Sequence, residues 1–212
     1  MTFLNEPVAA LLAIASSAHG PEGHLPVTAA NAGAAAHDHL STPAAALAWL
    51  APRRELVAPR EPPSRRDLDR LRLVRDAAQA FARGRAQRYA RDVEELLHGA
   101  TFGLSPDGLA VPLRRGWAGL VDELLIPLVA LPAAGDRIKF CANERCHWIF
   151  MDRSTNRRAR WCDPAACGNR MRVRAYRRRA VTPPGRGARR TGAPEPRGRA
   201  RAGGTPAIGR SR

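Results

Sequence analysis

The chain has 212 residues, enough for one domain of ordinary size together with a small module. Its 35 basic and 19 acidic residues give a net charge of +16, and aromatic residues make up only 5% of the chain. This composition excludes collagen, coiled-coil and acidic disordered proteins. The longest apolar stretch near the start, Val8 to Ala15, is too short to span a membrane and has no basic flank before it. We therefore expect a cytoplasmic protein without a membrane segment.

The excess positive charge lies at one end of the chain. Residues 1–135 have 14 arginines and 14 acidic residues, whereas residues 136–212 have 21 basic and 5 acidic residues. A neutral body with a concentrated basic end predicts a polyanionic partner, most commonly nucleic acid. A solvated basic tail without a specific partner is the alternative interpretation.

The N-terminal half divides into a weakly patterned segment and a mainly helical domain. Residues 1–40 alternate alanine-rich stretches with glycines and prolines, which predicts one short helix at Glu6–Ser17 and poor order elsewhere. Residues 41–135 begin with Ser41-Thr42-Pro43, where a hydroxyl can cap a helix and proline suits its first position. After a proline-rich linker, Ser64 is expected to cap the next helix.

Apolar stripes at helical spacing continue through this domain. They cover Leu68–Phe81 and Trp117–Leu128, and we interpret both as core rather than as part of a cofactor site. Between them, Ser105-Pro106-Asp107-Gly108 predicts the turn of a small β-hairpin formed by Thr101–Leu104 and Leu109–Leu113.

Residues 136–180 contain a cluster of cysteines with the spacing of a metal site. The pattern C-x4-C-x15-C-x4-C is formed by Cys141, Cys146, Cys162 and Cys167. Two close pairs separated by a hairpin-length insert favour one structural Zn²⁺, because each turn can supply two thiolates to a tetrahedral ion. Two disulfides are the alternative, but they require an oxidising compartment. His147 is a further candidate ligand.

The insert and the residues after the last cysteine predict a zinc-ribbon-like hairpin and a basic helix. Trp148–Met151 is interpreted as the outgoing strand and Arg157–Trp161 as the returning strand. Gly168 is expected to allow a tight turn and Asn169 to cap the helix. The candidate nucleic-acid contacts are Asn169, Arg170, Arg172, Arg174, Arg177, Arg178, Arg179, Arg157, Arg158 and Arg160. Residues 181–212 are predicted to be a disordered basic tail.

The segment Cys162–Arg170 contains a Cys-Gly-Asn-Arg signature and resembles the CGNR zinc-finger family of bacterial proteins. Cys141–Ser154 and Arg160-Trp161-Cys162 are similar to other elements of that family. The resemblance implies that the four cysteines bind one Zn²⁺ and that the module binds DNA. Leu40–Leu50 resembles part of the ABATE domain that precedes the finger in many members and is linked to stress-induced transcription regulation. Residues 1–39 lack its usual opening strand and Asn-Thr element.

These observations favour a DNA-binding transcription regulator, with helical residues 41–135 providing sensing or homodimerisation. An RNA- or protein-binding module, in which zinc is only a structural staple, is the alternative. An enzyme is not expected, because no nucleophile–base pair, paired carboxylates or phosphate-binding loop stands out. His37-Asp38-His39 is interpreted as too isolated for a metal site. The sequence indicates no particular effector.

Overall fold

The computed structural model describes residues 5–20, 37–54, 56 and 58–181. Within these residues the α-helices are α1 (Asn5–Ala15), α2 (Pro43–Leu50), α3 (Arg65–Ala82), α4 (Ala90–His98), α5 (Gly116–Ala134) and α6 (Asn169–Val181). The strands are β1 (Ala18–His19), β2 (His37–Asp38), β3 (Phe102–Leu104), β4 (Ala110–Pro112), β5 (Ile138–Phe140) and β6 (Ile149–Met151). They pair as three antiparallel hairpins, β1–β2, β3–β4 and β5–β6. The prediction of a disordered tail over 181–212 lies outside the described residues, except for Val181 at the end of α6.

The predicted helix starts are confirmed by their caps. The hydroxyl of Thr42 accepts a hydrogen bond from the Ala45 amide at 3.1 Å, and Pro43 occupies the first turn of α2. At the start of α3, Ser64 and Asp67 form a capping box, in which each side chain accepts from the other residue's amide. These local interactions begin α2 and α3 where the sequence predicts.

The helical core is built from α1, α3 and α5. The apolar stripe of α3 is buried, and α5 buries Trp117, Leu120 and Leu124 against it. Gly116–Arg137 is the one stretch among the described residues that is helical, long and apolar enough to cross a membrane, and half of its apolar window is buried in the protein. Packing in the core therefore accounts for the apolar composition of this helix.

The N-terminal segment differs from the expectation of poor order. Helix α1 lies in the core, and Leu11 and Ile14 are fully buried. Its buried alanines allow these larger side chains to pack closely against α3 and α5. The segment also reaches the C-terminal hairpin, since the Gly20 amide donates to Cys146 O at 2.9 Å. The predicted helix at Glu6–Ser17 is thus confirmed as α1. The expectation of poor order is wrong for residues 18–20, which pair with β2 and bond the first cysteine loop. Residues 21–36 lie outside the described part of the chain.

Three histidines lie together where this segment meets β2. His19 pairs with His37 across β1 and β2, and Nε2 of His19 is 3.1 Å from Nε2 of His39. The ring of His39 stacks on Trp49 with centroids 4.0 Å apart. Asp38 is bound by the buried Arg75 at 2.8 Å. The interpretation of His37-Asp38-His39 as isolated in an unstructured segment was therefore wrong, because strand pairing places it in a packed cluster.

We predict that protonation of His39 destabilises the fold. Burial and the neighbouring His19, His37 and Arg53 lower the pKa of His39 from 6.5 to about 4. Between these values the unfolded chain binds more protons, so the stability contributed by the neutral ring is complete above pH 6.5 and lost as the pH falls toward 4. The loss should be on the order of 1 kcal/mol, because the ring is only half-buried and solvent screens it.

The measurement is the free energy of unfolding by urea between pH 7.5 and 4.5 for the wild type and His39→Gln. The stability of the wild type relative to the variant should decrease toward pH 4.5. Protonation of the cysteine site affects both proteins and cancels in this difference. His98→Gln, at an exposed position of α4, serves as the control and should follow the wild type. Parallel curves for the wild type and His39→Gln would contradict the prediction.

Candidate metal centre and basic helix

The four cysteines are brought together by a hairpin and a wide helical turn. Cys141 and Cys146 lie in the loop between β5 and β6, which is closed by a hydrogen bond from the Cys141 amide to Trp148 O at 2.8 Å. Cys162 ends an irregular segment, and Cys167 lies in a single π-helical turn, Pro164–Gly168. All four Sγ atoms lie within 4.8 Å of one another.

The sulfur atoms have the spacing of a tetrahedral thiolate site. Sγ of Cys162 lies 3.7 Å from Sγ of Cys146 and 3.7 Å from Sγ of Cys167. Zinc–sulfur bonds of about 2.3 Å place tetrahedral sulfur atoms about 3.8 Å apart. All four cysteines are free, so the disulfide alternative does not fit. The donor set therefore fits one structural Zn²⁺ with a closed coordination sphere, and His147, which is exposed, lies outside the four-thiol cluster.

The electrostatics of the cluster favour a bound cation. Hydrogen bonds from Cys146 and Cys162 lower the pKa of Cys141 to about 2. Hydrogen bonding to Cys141 and Cys146, together with burial, raises the pKa of Cys162, and the bond to Cys141 likewise raises that of Cys146. A Zn²⁺ ion at the centre supplies the positive charge that lets all four thiolates form.

Asn143 connects the cysteine loop to α6 and was missed by sequence reasoning. Its side chain is fully buried, and Nδ2 donates to Cys167 Sγ at 3.7 Å. Oδ1 accepts from Nη1 of Arg174 at 3.1 Å, which ties the helix to the first cysteine loop. An asparagine between two close cysteines is a weak signal, because only the fold shows which sulfur and which arginine it reaches.

The predicted pairing of the hairpin was wrong in its second strand. The sequence suggested that Trp148–Met151 pairs with Arg157–Trp161, but β6 pairs with β5, with Phe140 opposite Ile149. The segment after β6 instead wraps around the buried carboxylate of Asp152. This carboxylate accepts from Lys139 Nζ at 2.7 Å and from the amides of Ser154 and Ala159 at 2.9 Å.

These contacts explain why residues 153–161 do not form a strand. The hydrogen bond from Lys139, reinforced by Ser154, holds the pKa of Asp152 well below its usual range. The carboxylate therefore stays charged and fixes the loop around itself. Between the loop and the cysteines, the Ala142 amide donates to Arg160 O at 2.8 Å. Residues 153–161 are thus held by side-chain contacts and single backbone hydrogen bonds rather than by the repeated backbone hydrogen bonds of a β-sheet.

The start of α6 also differs from the prediction. Asn169 is not a cap, because α6 continues from the π-helical turn Pro164–Gly168. Asp163 caps that turn, and its carboxylate accepts from the amides of Ala165 at 2.7 Å and Ala166 at 3.0 Å. Asn169 already has helical backbone angles. Gly168 does not make a tight turn; instead, a Cβ atom there would lie 3.1 Å from the ring of Trp161. The indole packs closely on the backbone here, so a side chain at this position would require the Trp161 ring to shift.

The candidate arginines fall into three environments. Arg172 and Arg179 are exposed on α6, together with Arg177 and Arg178. Arg170 and Arg174 are half-buried toward the zinc module. In the loop, Arg157 pairs with Asp136 at 3.0 Å, Arg158 is exposed, and the guanidinium of Arg160 lies 5.2 Å from the centroid of the Trp161 ring. The helix therefore collects most of the candidate residues.

We predict that loss of zinc releases α6 but leaves the β5–β6 hairpin in place. Ile138 and Ile149 belong to the main core, whereas Cys141, Cys146 and Cys167 form a separate small cluster. Most of the energy that folds a four-thiolate site comes from the metal. Residues 160–181 of Cys162→Ser should therefore lose amide protection, while α3 and α5 retain it, as does the loop held by Asp152.

Hydrogen exchange read by mass spectrometry measures this difference. The comparison includes wild-type protein before and after treatment with a chelator, which should reproduce the variant. Ala166→Ser, next to Cys167 but with all four ligands retained, is the matched control and should keep its protection. Full protection of α6 in Cys162→Ser, or exchange throughout α3 and α5, would contradict the prediction.

Two family models match the chain. The model described as "ABATE: Putative stress-induced transcription regulator" matches residues 23–140, and the model described as "CGNR zinc finger" matches residues 137–180. None of the curated proteins compared with the chain matches it. The resemblance drawn from the Cys-Gly-Asn-Arg signature and from Leu40–Leu50 is thus confirmed. The chain belongs to the ABATE family and carries a C-terminal CGNR zinc finger.

Proposed function

We propose that this protein is a DNA-binding transcription regulator whose zinc module presents α6 to DNA. The observation that carries the proposal is the composition and position of this helix. It has six arginines and no acidic residue over Asn169–Val181, and it follows the last cysteine directly. The ABATE match supports a regulatory role, and the basic C-terminal region supports a polyanionic partner.

The side of α6 that faces solvent is the proposed reading surface. It carries Arg172, Val173, Tyr176 and Arg179, of which Val173 is 40% and Tyr176 is 74% exposed. A 13-residue helix is about 20 Å long and about as wide as the DNA major groove. Arginine can bind guanine in bidentate fashion, and apolar side chains can contact the thymine methyl group. Exposed apolar residues beside arginines therefore suit base contact.

The other candidate residues are proposed to contact the backbone or to position the helix. Asn169, Arg170, Arg177, Arg178 and Arg158 are assigned to phosphates, because they lie on the same module without entering the reading surface. Arg174 is assigned to positioning, since it donates to the buried Asn143. Arg157 and Arg160 already have partners in the chain, namely Asp136 and the Trp161 ring, and are proposed as weaker phosphate contacts.

Zinc is proposed to act structurally, with Cys141, Cys146, Cys162 and Cys167 as its ligands. When bound, the ion supplies the charge that holds four thiolates in one tetrahedron. The chain's own contribution is to fix the helix to that tetrahedron, through Asn143 and the Asp163 cap. A site with four protein ligands leaves no open position for substrate, and both family descriptions name a regulator or a zinc finger rather than an enzyme. Free thiols fit a reducing bacterial cytoplasm, where we place the protein.

We propose a sensing role for the helical domain. A cavity of about 360 Å³ lies between α3, α4 and α5, and its lining is mostly apolar, including Phe81, Val93 and Leu128. Cavities of this size hold small ligands in other proteins. Homodimerisation through the same domain stays a prediction of the sequence analysis.

In vitro selection of random duplex DNA with the zinc-loaded full chain at physiological salt tests the proposal. We expect enrichment of a defined motif, and we expect Arg172→Ala or Arg179→Ala to weaken binding to it about tenfold or more, as for loss of a bidentate base contact. Arg65→Ala/Arg66→Ala, at two exposed positions at the start of α3, is the control and should bind as the wild type does.

Selection without enrichment, from protein that retains zinc, would contradict the proposal. If structured RNA competes for the protein at a lower concentration than duplex DNA does, the RNA-binding alternative is favoured. Contacts to phosphates release counterions, so binding to nucleic acid must weaken as salt rises. A partner whose binding does not depend on salt would therefore favour the protein-binding alternative.

A further inference from the structure

A basic cleft lies between the first cysteine loop and α6. Its volume is about 400 Å³, and its walls carry Asn143, Glu144 and Arg145 on one side and Arg174, Arg177 and Arg178 on the other. Four guanidinium groups therefore converge from two separate elements, with one carboxylate among them. Arg145 stands outside the candidate contacts drawn from the sequence, because it precedes the basic helix by more than twenty residues.

The walls of the cleft are fixed in relation to each other by the metal centre. Glu144 and Arg145 lie directly before Cys146, and α6 begins two residues after Cys167. Asn143 spans the base of the cleft, donating to Cys167 Sγ and accepting from Arg174. The Arg145 amide also donates to Asn143 Oδ1 at 3.3 Å. The cleft is thus organised before any ligand arrives.

The chemistry of the cleft suits a phosphodiester. Arginines at this density repel one another, and an anion between them offsets that repulsion. The planar fork of a guanidinium matches two oxygens of one phosphate, so that arginines from facing walls can share a single group. Arg145 and Arg177 are both exposed and stand on opposite walls.

The position of the cleft favours the DNA backbone over the bases. At 3.6 residues per turn, Arg177 projects from the side of α6 opposite to Arg172 and Arg179. Arg177 therefore borders the reading surface only beside Val173 and lies away from its two arginines. Its long side chain can reach a phosphate at the edge of the groove, as Arg145 can from the cysteine loop.

We infer that this cleft binds one backbone phosphate of duplex DNA, held between Arg145 and Arg177, with Arg174 as a positioning residue. The inference rests on the proposed function and deepens it by assigning a phosphate site that includes the cysteine loop. The loop and the helix then contact DNA as one rigid unit. Arg178, on the same wall as Arg177, adds positive charge to the site.

A double-mutant cycle with the zinc-loaded full chain tests the inference. The affinity for a selected or random 20-base-pair duplex is measured by fluorescence anisotropy at 50 to 200 mM salt for wild type, Arg145→Ala, Arg177→Ala and the double variant. We expect each single change to weaken binding about tenfold, in the range for a charged hydrogen bond. The double change should weaken it about 20-fold rather than 100-fold, because both arginines hold the same phosphate.

The salt dependence gives a second, independent readout. Loss of one phosphate contact should reduce the slope of log affinity against log salt by about 0.9 in the double variant. Arg65→Ala/Arg66→Ala removes the same charge from the helical body and should leave the slope unchanged. Zinc content and amide protection of α6 are measured on every variant, so that only folded proteins enter the cycle.

The outcomes separate the inference from the proposed function. The shared phosphate site would be overturned, while the proposed function stands, by either of two results with wild-type protein that binds duplex DNA. In the first, the double variant binds as tightly as the wild type. In the second, the double variant loses the product of the two single losses in affinity. Wild-type protein that binds no duplex would overturn both. Arg145→Lys/Arg177→Lys retains the charge without the fork, and affinity intermediate between wild type and the double alanine variant is expected.

Discussion

The arrangement of four sulfur atoms within 4.8 Å of one another is the constraint on which the C-terminal part of the protein depends. After β6 the chain has little apolar surface to bury, and the cluster around the cysteines includes only Trp148 and Trp161 as larger side chains. The π-helical turn and α6 take their positions from the thiols and from Asn143, whereas the loop after β6 is fixed by the Asp152 carboxylate. A metal tetrahedron therefore replaces a hydrophobic core in this region.

The zinc module contacts the helical domain directly. The hydroxyl of Ser16 accepts from the Ile149 amide at 3.3 Å, and the Gly20 amide donates to Cys146 O. Gly20 has no room for a side chain, since a Cβ atom would lie 2.2 Å from Arg145 O. The N-terminal segment thus presses directly on the first cysteine loop. A change in the packing of α1 or β1 would therefore alter the position of this loop, which gives a physical link between the proposed sensing domain and the proposed DNA-binding module.

The sequence predicted those parts of the structure that local chemistry determines. The caps at Thr42 and Ser64 and the turn at Ser105–Gly108 are encoded within a few residues. The cysteine spacing favoured one structural zinc over two disulfides. The errors arose where partners are distant in sequence. Strand β6 was paired with the following segment, because the sequence does not show that Asp152 would anchor a loop and leave β5 as the partner.

Other features were invisible to a pattern search for different reasons. Helix α1 was expected from its sequence, but its place in the core was not, because that depends on the surfaces of α3 and α5, which lie far along the chain. His19 meets His37 and His39 only through β1–β2 pairing, across a stretch of sequence without pattern. Asn143 and Arg145 lie between two cysteine ligands, and no local pattern distinguishes them from other loop residues. Their position beside α6 depends on how that helix packs against the loop.

In the proposed function, the zinc centre creates the DNA-binding surface by fixing α6 to the first cysteine loop. The most direct test is the affinity of one preparation of the full chain for duplex DNA, measured with zinc bound, after chelation and after zinc is restored. We expect the affinity for duplex DNA to fall tenfold or more on chelation and to recover fully when zinc is restored. Equal affinity in all three states, at salt where binding is phosphate-dependent, would contradict it.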